Sequence, residues 1–515
     1  MAAAAESLDV EPEHHEVAII GAGFAGLGMA IRLRQQGDED FVVFDRETEV
    51  GGTWWVNHYP GCACDVQSHL YSFSFEPNPE WSYMFARQTE ILGYLRHCAR
   101  KYDLYPHIRL ATEVVSMAWD EEGGVWRIED ARRRRYTARV VVSGMGALSA
   151  PSYPDIPGID KFAGKIFHSQ QWDHDFDLSG KRVAVVGTGA SAIQFIPQIQ
   201  PRVARLDIYQ RTPQWILPRP DRPIKPSERR LFRRMPLAQQ LKRKAIYWML
   251  EGRVIGLTYR PQLLRFVERL AVGHMKSQVN APALHDKLIP TYRVGCKRIL
   301  MSNDYYPTLN QPNVSLVADG IREITEQGLV DASGRERPVD VIIFATGFHA
   351  TDPVPEGLIR GRHGADLATE WRDGPEAYKG TTVAGFPNLF MLIGPNTGLG
   401  HTSMVYMIES QLAYVLDALR LMRRKRIKRV DVDPARQARY NEALHRRLQG
   451  TVWNAGGCSS WYLHPVSGKN PTIWPGFTWR FRRMLRRFDL KAYRVVGLEE
   501  DVGGRSAKEG DARAA

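Results

Sequence analysis

Two glycine-rich loops constrain the fold of this 515-residue chain more than any other feature. The first is GAGFAG at Gly21–Gly26, and the second is GTGASA at Gly187–Ala192. Each follows a short apolar stretch and precedes a segment with helical character, so that the N–H groups at the helix start can bind the phosphates of a dinucleotide. Two such units predict an α/β fold with two doubly wound, Rossmann-like dinucleotide-binding domains.

The first loop has every element of a nucleotide site. Gly21, Gly23 and Gly26 fit the spacing G-x-G-x-x-G. In that spacing, glycine allows the tight turn, the approach of a pyrophosphate and the close packing of helix against strand. The next predicted strand, FVVFD, ends at Asp45, where a carboxylate can bind ribose hydroxyls.

The second loop differs in a way that bears on the cofactor. Gly187, Gly189 and Ser191 occupy the loop, but an alanine replaces the third glycine. The following strand, RLDIYQ, ends at Arg211 and Thr212 instead of an acid. A guanidinium and a hydroxyl suit a 2′-phosphate, so the sequence predicts NADPH rather than NADH. The alternative is that Arg211 is only a surface arginine.

A further motif follows the first domain's second strand: GGTWWVNHYPGCACD, from Gly51 to Asp65. The flavoprotein disulfide reductases also begin this segment with GGT, followed by two cysteines five residues apart. Trp54 and Tyr59 stand at those two places, so the redox pair of that class is absent.

Between the two glycine loops lies the connector FAGKIFHSQQWD, from Phe162 to Asp173. Its order is F-x-G-x-x-x-H-x-x-x-W-D, with Phe162, Gly164, His168 and Trp172 at the fixed positions. The connector and the Gly51–Asp65 motif together resemble the type I Baeyer–Villiger monooxygenases, in the variant where Asp follows the Trp. The alternative is a plain linker. The resemblance implies that the connector governs cofactor movement between the domains.

The resemblance implies that NADPH reduces FAD and that dioxygen then gives a flavin peroxide, which attacks a ketone to form an ester or lactone. Arg298 and Asp65 are the implied catalytic residues, although Asp65 could instead cap a helix over VQSHLYSF. The other residues with an implied cofactor role are Thr53 and Trp54 in the flavin site, Lys297 beside the 2′-phosphate, and Trp461 on a mobile control loop. No metal site is predicted.

The predicted FAD-binding domain is discontinuous, comprising residues 1–150 and 380–515, with the NADPH-binding domain at 151–379 between its two parts. A helical insertion at about 215–290 resembles one that the family carries in its NADPH domain. The tail after about Val502 is rich in Gly, Ala and charge and is predicted to be disordered.

Composition narrows the partners and the compartment. The net charge is +12, but no nucleic-acid module accompanies the basic clusters, so nucleic acid is not expected as a partner. Peripheral membrane contact through the basic helices stays open. The sequence shows no membrane span and no secretory signal, and five cysteines do not make a disulfide framework. A cytoplasmic protein is therefore expected.

Two other functions remain as alternatives. One is an N- or S-oxygenating flavin monooxygenase, against which the matches at Asp65 and Arg298 argue. The other is a non-oxygenating NADPH-binding flavoprotein that senses redox state or docks on membranes. The expected partners of the favoured function are dioxygen and a small ketone, whose size the sequence does not define.

Overall fold

A computed structural model describes residues 11–348 and 354–497 of the chain. The tail for which disorder is predicted lies outside the described residues. Within those two ranges, no helix is both long enough and apolar enough to cross a membrane.

The described ranges contain twenty strands and fourteen α-helices. The strands are β1 (Glu13–Ile20), β2 (Phe41–Phe44), β3 (Ile108–Arg109), β4 (Val114–Asp120), β5 (Val125–Asp130), β6 (Arg135–Ser143), β7 (Lys165–His168), β8 (Arg182–Val186), β9 (Arg205–Tyr209), β10 (Ile216–Leu217), β11 (Leu300–Met301), β12 (Val314–Val317), β13 (Ile321–Ile324), β14 (Gly328–Asp331), β15 (Glu336–Pro338), β16 (Val341–Phe344), β17 (Ile359–Arg360), β18 (Leu389–Met391), β19 (Ile427–Val432) and β20 (Tyr493–Gly497). The helices are α1 (Phe24–Arg34), α2 (Thr53–Val56), α3 (Gln88–Lys101), α4 (Ala192–Ile199), α5 (Pro226–Arg234), α6 (Pro236–Glu251), α7 (Leu264–Gln278), α8 (Pro282–Leu288), α9 (Tyr305–Thr308), α10 (Leu367–Glu370), α11 (Met404–Arg424), α12 (Pro434–Gln449), α13 (Val452–Ala455) and α14 (Thr478–Met484).

The larger sheet carries the first glycine loop. Its order is β17-β4-β5-β6-β1-β2-β3, with β18 also paired to β6. β1 runs parallel to both β2 and β6, and the apolar half of β1 is buried. A parallel strand covered on both faces reads as a continuous apolar run, which explains why VAII and FVVF are recognisable in the sequence. β17 and β18 reach this sheet from beyond residue 354, after the chain has built the second sheet.

The second sheet carries the second glycine loop. All its strands are parallel, in the order β12-β9-β8-β16-β7. Its edge strand, β7, is formed by the connector itself, which pairs with β16 from Lys165 to His168. Two sheets with parallel strands and flanking helices confirm the predicted α/β class.

A helical segment leaves the second sheet between β10 and β11. It contains α5, α6, α7 and α8, and β10 pairs with β11 where the segment begins and ends. α6 is attached to the rest of the molecule through Tyr247, whose ring stacks on Tyr406 of α11 at 4.7 Å. The Tyr247 hydroxyl also lies 3.1 Å from the hydroxyl of Thr478, at the start of α14.

The glycine that precedes β7 gives a test of this packing. A Cβ atom on Gly164 would lie 2.4 Å from the carbonyl oxygen of Asp340, which accepts a hydrogen bond from Lys165. Gly164→Ala should therefore lower the free energy of unfolding by about 1–3 kcal/mol, measured by urea unfolding. Gly320→Ala is the control, because the space around its Cβ is open, and it should change stability by less than about 0.5 kcal/mol. Equal losses in both variants would contradict the packing argument.

Candidate active site

The first glycine loop leaves room for a ligand along its backbone. Gly21 has a φ of +100°, and a Cβ on Gly26 would lie 1.7 Å from the Gly21 carbonyl oxygen, so neither position accepts a side chain. The nearest atoms to a Cβ on Gly23 belong to Gly51 and Gly52 at 3.5–4.0 Å. Three glycine backbones thus face one another around a cradle that a pyrophosphate can occupy, as FAD binding requires.

Asp45 fixes this loop from behind. Its Oδ2 accepts a hydrogen bond of 2.6 Å from the N–H of Ala22, and its Oδ1 accepts one of 2.9 Å from Glu47. Burial raises the pKa of Asp45 despite these two donors. The carboxylate therefore holds the loop backbone as well as standing at the predicted ribose position.

The Gly51–Asp65 motif begins beside the cradle. Gly52, with a φ of +53°, starts the short helix α2, which contains Thr53 and Trp54. Trp54 is buried, and its indole N–H donates to the Tyr71 hydroxyl at 3.2 Å. Thr53 is only partly buried, and its hydroxyl lies 3.9 Å from the position of a Cβ on Gly146, beyond the end of β6.

The middle of the motif contacts the second nucleotide unit. Tyr59 donates to the side-chain oxygen of Gln194 at 3.0 Å, and the amide of Gln194 also donates to the Ala63 carbonyl at 3.1 Å. A Cβ on Gly61 would lie 2.7 Å from the Gln194 carbonyl oxygen. Gln194 belongs to α4, which begins at the second glycine loop. Sequence reasoning missed this residue because a glutamine in a helix carries no motif.

The end of the motif forms an ion pair with Arg298, and we call the partly open space beside this pair the cleft. Arg298 donates from Nε to Asp65 Oδ2 at 2.6 Å and from Nη2 to Oδ1 at 2.7 Å. Its Nη1 donates to the Leu399 carbonyl at 3.4 Å. The Asp65 and Arg298 side chains are 33% and 36% exposed, so the pair is open on one side. Residues 66–73 form turns rather than an α-helix, and the capping alternative for Asp65 is therefore wrong.

Both groups of this pair are held in their charged forms. Burial alone would raise the pKa of Asp65, but Arg298, and more weakly Arg219, outweigh that effect and lower it. The adjacent carboxylate raises the pKa of Arg298, although burial opposes this. The site therefore presents a permanent cation whose position is set by a permanent anion.

Two further residues at this pair were not predicted. Arg219 donates to the Cys64 carbonyl at 3.0 Å, immediately before Asp65. Tyr462 is buried near Arg298, and burial raises the pKa of Tyr462 to about 12. Trp461, which the resemblance assigns to the nicotinamide cofactor, is 48% exposed and touches the Tyr462 ring at 4.5 Å. The structure thus places Trp461 at the surface, whereas the next residue, Tyr462, lies at the ion pair.

The second glycine loop offers an open position and two nearby cations. Gly187 has a φ of +109° and packs on the Ala345 carbonyl, whereas a Cβ on Gly189 would meet nothing within 4 Å. Ser191 precedes α4 as its cap residue. This arrangement fits a pyrophosphate approaching the backbone at Gly189.

The predicted 2′-phosphate residues come together at the end of β9. Arg211 is exposed and Thr212 is partly buried. Burial lowers the pKa of Lys297, and the nearby charge of Arg211 lowers it further. Neither cation forms an ion pair with a carboxylate of the described residues. Two cations that lie close together without a carboxylate between them form a suitable binding site for a dianionic group such as a phosphate.

The connector is a packed element rather than a plain linker. His168 is fully buried; its Nδ1 accepts from the Gln170 N–H at 3.1 Å, and its Nε2 has no partner among the described residues. Burial lowers the pKa of His168 to about 4, so the ring is neutral at pH 7. Trp172 is buried between Phe167 and Phe195, while Phe162 packs partly buried against the second sheet.

A disulfide joins Cys296 to Cys458, a bond that the sequence does not predict, although one bond among five cysteines is still no disulfide framework. It joins the residue before Lys297 to the segment that carries Trp461, across 162 positions. A separation of that length gives no local signal, which is why sequence reasoning missed the bond. Cys62, Cys64 and Cys98 are free and buried.

Comparisons with known proteins agree on one family. Residues 14–363 match the family model described as flavin-binding monooxygenase-like. The chain is 61% identical to a Baeyer–Villiger monooxygenase of Pseudomonas aeruginosa over 483 residues, covering 94% of this chain and 92% of the relative. It is 52% identical to a Baeyer–Villiger monooxygenase of Streptomyces coelicolor, covering 97% and 96% of the two chains.

Solved structures give the same result. The crystal structure of cyclohexanone monooxygenase from Rhodococcus sp. Phi1 bound to NADP⁺ superposes with a TM-score of 0.85 at 28% identity, covering 94% of this chain and all of the other. An oxidised steroid monooxygenase bound to NADP has a TM-score of 0.82 at 30% identity, covering 94% and 99% of the two chains.

The two cations at β9 predict the cofactor preference. Arg211→Ala or Lys297→Ala should weaken the binding of NADPH by about 1–3 kcal/mol, because each removes a charge-assisted contact to the 2′-phosphate. Steady-state KM values for NADPH and NADH measure this, and the value for NADH should not change. Arg132→Ala, at an exposed position outside the cleft, is the control. A wild-type enzyme that used both nucleotides equally would contradict the assignment.

The buried ring of the connector predicts a kinetic effect without loss of flavin. His168→Ala should slow turnover strongly while FAD stays bound, because His168 belongs to β7 in the second sheet, whereas the predicted FAD loop belongs to the first. The flavin absorbance of the purified variant and its kcat measure the two properties. Loss of FAD from the variant would instead show that the connector is a folding element.

Proposed function

This chain belongs to the flavin-binding monooxygenase-like family and to its type I Baeyer–Villiger members, and from that premise we propose that Arg298, held by Asp65, is the cation on which its chemistry depends. The enzyme is an FAD- and NADPH-dependent monooxygenase that inserts one oxygen atom from O2 next to a ketone carbonyl, giving an ester or lactone. The N- or S-oxygenating alternative is not favoured by these relatives. Dioxygen and a small ketone are its substrates.

When bound, NADPH supplies a hydride to FAD, and the reduced flavin activates dioxygen. The glycines around the first loop, together with Thr53 and Trp54, would hold FAD, and the second loop with Arg211 and Lys297 would hold NADPH. Two observations support this fit: the backbones of Gly23, Gly51 and Gly52 lie close together around the first loop, and the space at the Cβ position of Gly189 is open.

The observation that carries the proposal is the bidentate pair of Asp65 and Arg298. Oxygen insertion next to a carbonyl requires negative charge to build on oxygen, and a poorly hydrated cleft makes that charge costly unless a cation is already in place. A guanidinium stays protonated at every working pH, and its planar fork is fixed by the two oxygens of Asp65. Within the described residues Nη1 makes only the long contact to Leu399, which leaves this nitrogen able to donate to the reacting oxygen.

We propose that Tyr462 closes this site from the control loop. Tyr462 is buried beside the ion pair, although its neighbour Trp461 is exposed. The loop therefore presents the Tyr462 ring to the ion pair and the Trp461 ring to solvent. The disulfide at Cys458 fixes the start of that loop next to the Lys297-Arg298 segment. These contacts support a loop that excludes water from the cleft.

The domain division is also part of the proposal: residues 1–150 and 380–515 bind FAD, and 151–379 bind NADPH. β18 supports it, because it joins the first sheet from the third part of the chain. The pairing of β17 with β4 favours placing the return to the FAD domain somewhat earlier, near residue 354.

The ketone assignment can be tested directly. NADPH oxidation and oxygen uptake should run in equal amounts and should rise when a ketone is added, with an ester or lactone as product. A panel of linear, cyclic, aryl and steroidal ketones identifies the preferred class. Oxidation of amines or sulfides without any ester from the panel would favour heteroatom oxygenation instead.

Removing the cation predicts a separation of the two half-reactions. Arg298→Ala should still bleach FAD with NADPH under anaerobic conditions, because hydride transfer precedes the need for the cation. In air it should lose ester formation by about 100-fold or more and release hydrogen peroxide. Arg298→Lys keeps the charge without the bidentate contact, so its rate of ester formation should lie between those of the wild type and Arg298→Ala. Ester formation by Arg298→Ala at the wild-type rate would remove this residue from the mechanism.

A further inference from the structure

Exposed apolar side chains are concentrated on the helical segment between β10 and β11. Of the 18 large hydrophobic residues that are exposed in the described ranges, 11 lie between residues 231 and 270. We call these the insertion patch: Leu231, Met235, Leu237, Leu241, Trp248, Met249, Ile255, Tyr259, Leu263, Phe266 and Leu270. Single exposed apolar residues need no explanation, but a concentration of this kind marks an interaction surface.

The patch follows helix geometry. On α6, Leu237, Leu241 and Trp248 fall within about 40° of one another at 100° per residue, and they are 58–64% exposed. The opposite side of the same helix is buried at Ile246 and Leu250. A helix with apolar residues on both sides normally has partners on both sides. Only the inner partner of α6 is present in the described part of the chain.

A second stripe lies on the next long helix. Leu263, Phe266 and Leu270 are spaced by three and four residues and are 50–66% exposed. The buried residues of α7, Leu264 and Met275, lie on a different side. Both helices therefore present an apolar stripe to solvent.

The charges around the patch are mostly positive, although Glu80 from another segment pairs with Arg233 at 2.9 Å. Between residues 226 and 270 no acidic side chain is exposed: Glu228 pairs with Arg222, Glu251 is buried, and Glu268 pairs with Arg293. The exposed cations of the same range are Arg230, Arg233, Arg234, Lys244, Arg253, Arg260, Arg265 and Arg269. An apolar face bordered by Lys and Arg, with Trp among its apolar residues, is complementary to an anionic lipid surface.

We propose that the insertion patch docks on the surface of an anionic bilayer. A second copy of the chain fits less well, because a symmetric contact would bring the same cations together. A bilayer instead accepts the apolar stripes at the boundary of its acyl chains and pairs the cations with its phosphates.

Docking would also bring the lipid phase to the active site, a consequence that rests on the proposed function. Leu257, between patch residues Ile255 and Tyr259, faces inward and packs in one buried cluster with Cys296 and Tyr462. The buried residues beneath the insertion patch therefore also line the cleft. Apolar ketones dissolved in a membrane would reach this wall without crossing water.

Flotation of the full-length, FAD-loaded enzyme with vesicles tests the proposal. Binding to vesicles of phosphatidylcholine with phosphatidylglycerol should exceed binding to phosphatidylcholine alone and should fall as salt is raised. Leu241→Glu/Trp248→Glu and Lys244→Glu/Arg269→Glu should each reduce binding by about tenfold or more. The control is Val115→Glu/Val495→Glu, at positions exposed by 43% and 45% on other elements, and it should bind as wild type does.

The outcomes separate the alternatives. Failure of the wild type to float with anionic vesicles, or an equal loss in the control variant, would overturn the proposal. A dimer in sedimentation velocity that the Leu241→Glu/Trp248→Glu variant abolishes would assign the patch to a second copy. Ester formation from a water-soluble ketone without vesicles should be unchanged in all these variants. If the wild type forms no ester, the proposed function is overturned, whereas the vesicle-binding result still tests the docking proposal.

Discussion

The bidentate ion pair between Asp65 and Arg298 joins two parts of the chain that are 233 positions apart. Each charge depends on the other, because a carboxylate or a guanidinium left alone in this partly buried place would lose hydration without compensation. The pair therefore exists only when the segment after the first glycine loop and the segment before β11 are in contact. If Arg298 and the two glycine loops act as proposed, the placement of both nucleotide sites relative to this cation depends on that contact.

Other contacts near the ion pair also hold the first and second units together. The Tyr59 hydroxyl and the backbone at Gly61 fix the first unit to α4, through a hydrogen bond and through close backbone approach. The disulfide at Cys296 adds a covalent link to the control loop. Hydrogen bonds, close backbone approach and a covalent bond are thus concentrated around Arg298, whereas Trp461 on the linked segment is exposed.

The features that could be predicted from the sequence are those that depend on neighbouring residues, namely the buried strands and the glycine loops. The strands before Gly21 and Gly187 are recognisable because buried parallel strands are continuously apolar, and the loops because only glycine tolerates their backbone geometry. The proximity of Asp65 and Arg298 came from family resemblance, since no spacing in the sequence encodes a contact across 233 residues. Tyr462, Gln194 and the disulfide had no such motif. The sequence predicts a connector where the structure has β7, because four residues are too few for the alternating pattern of a strand to be recognisable.

The way the first sheet is completed has a consequence for synthesis of the protein on the ribosome. β18 pairs with β6 only after the chain has passed through the whole second sheet and its helical segment. Phe390 on β18 is fully buried, so the nascent first unit keeps an uncovered strand edge and an unfilled core position until residue 391 has emerged. During that interval the strands of the second sheet are already synthesised, so the second sheet can be completed before the first.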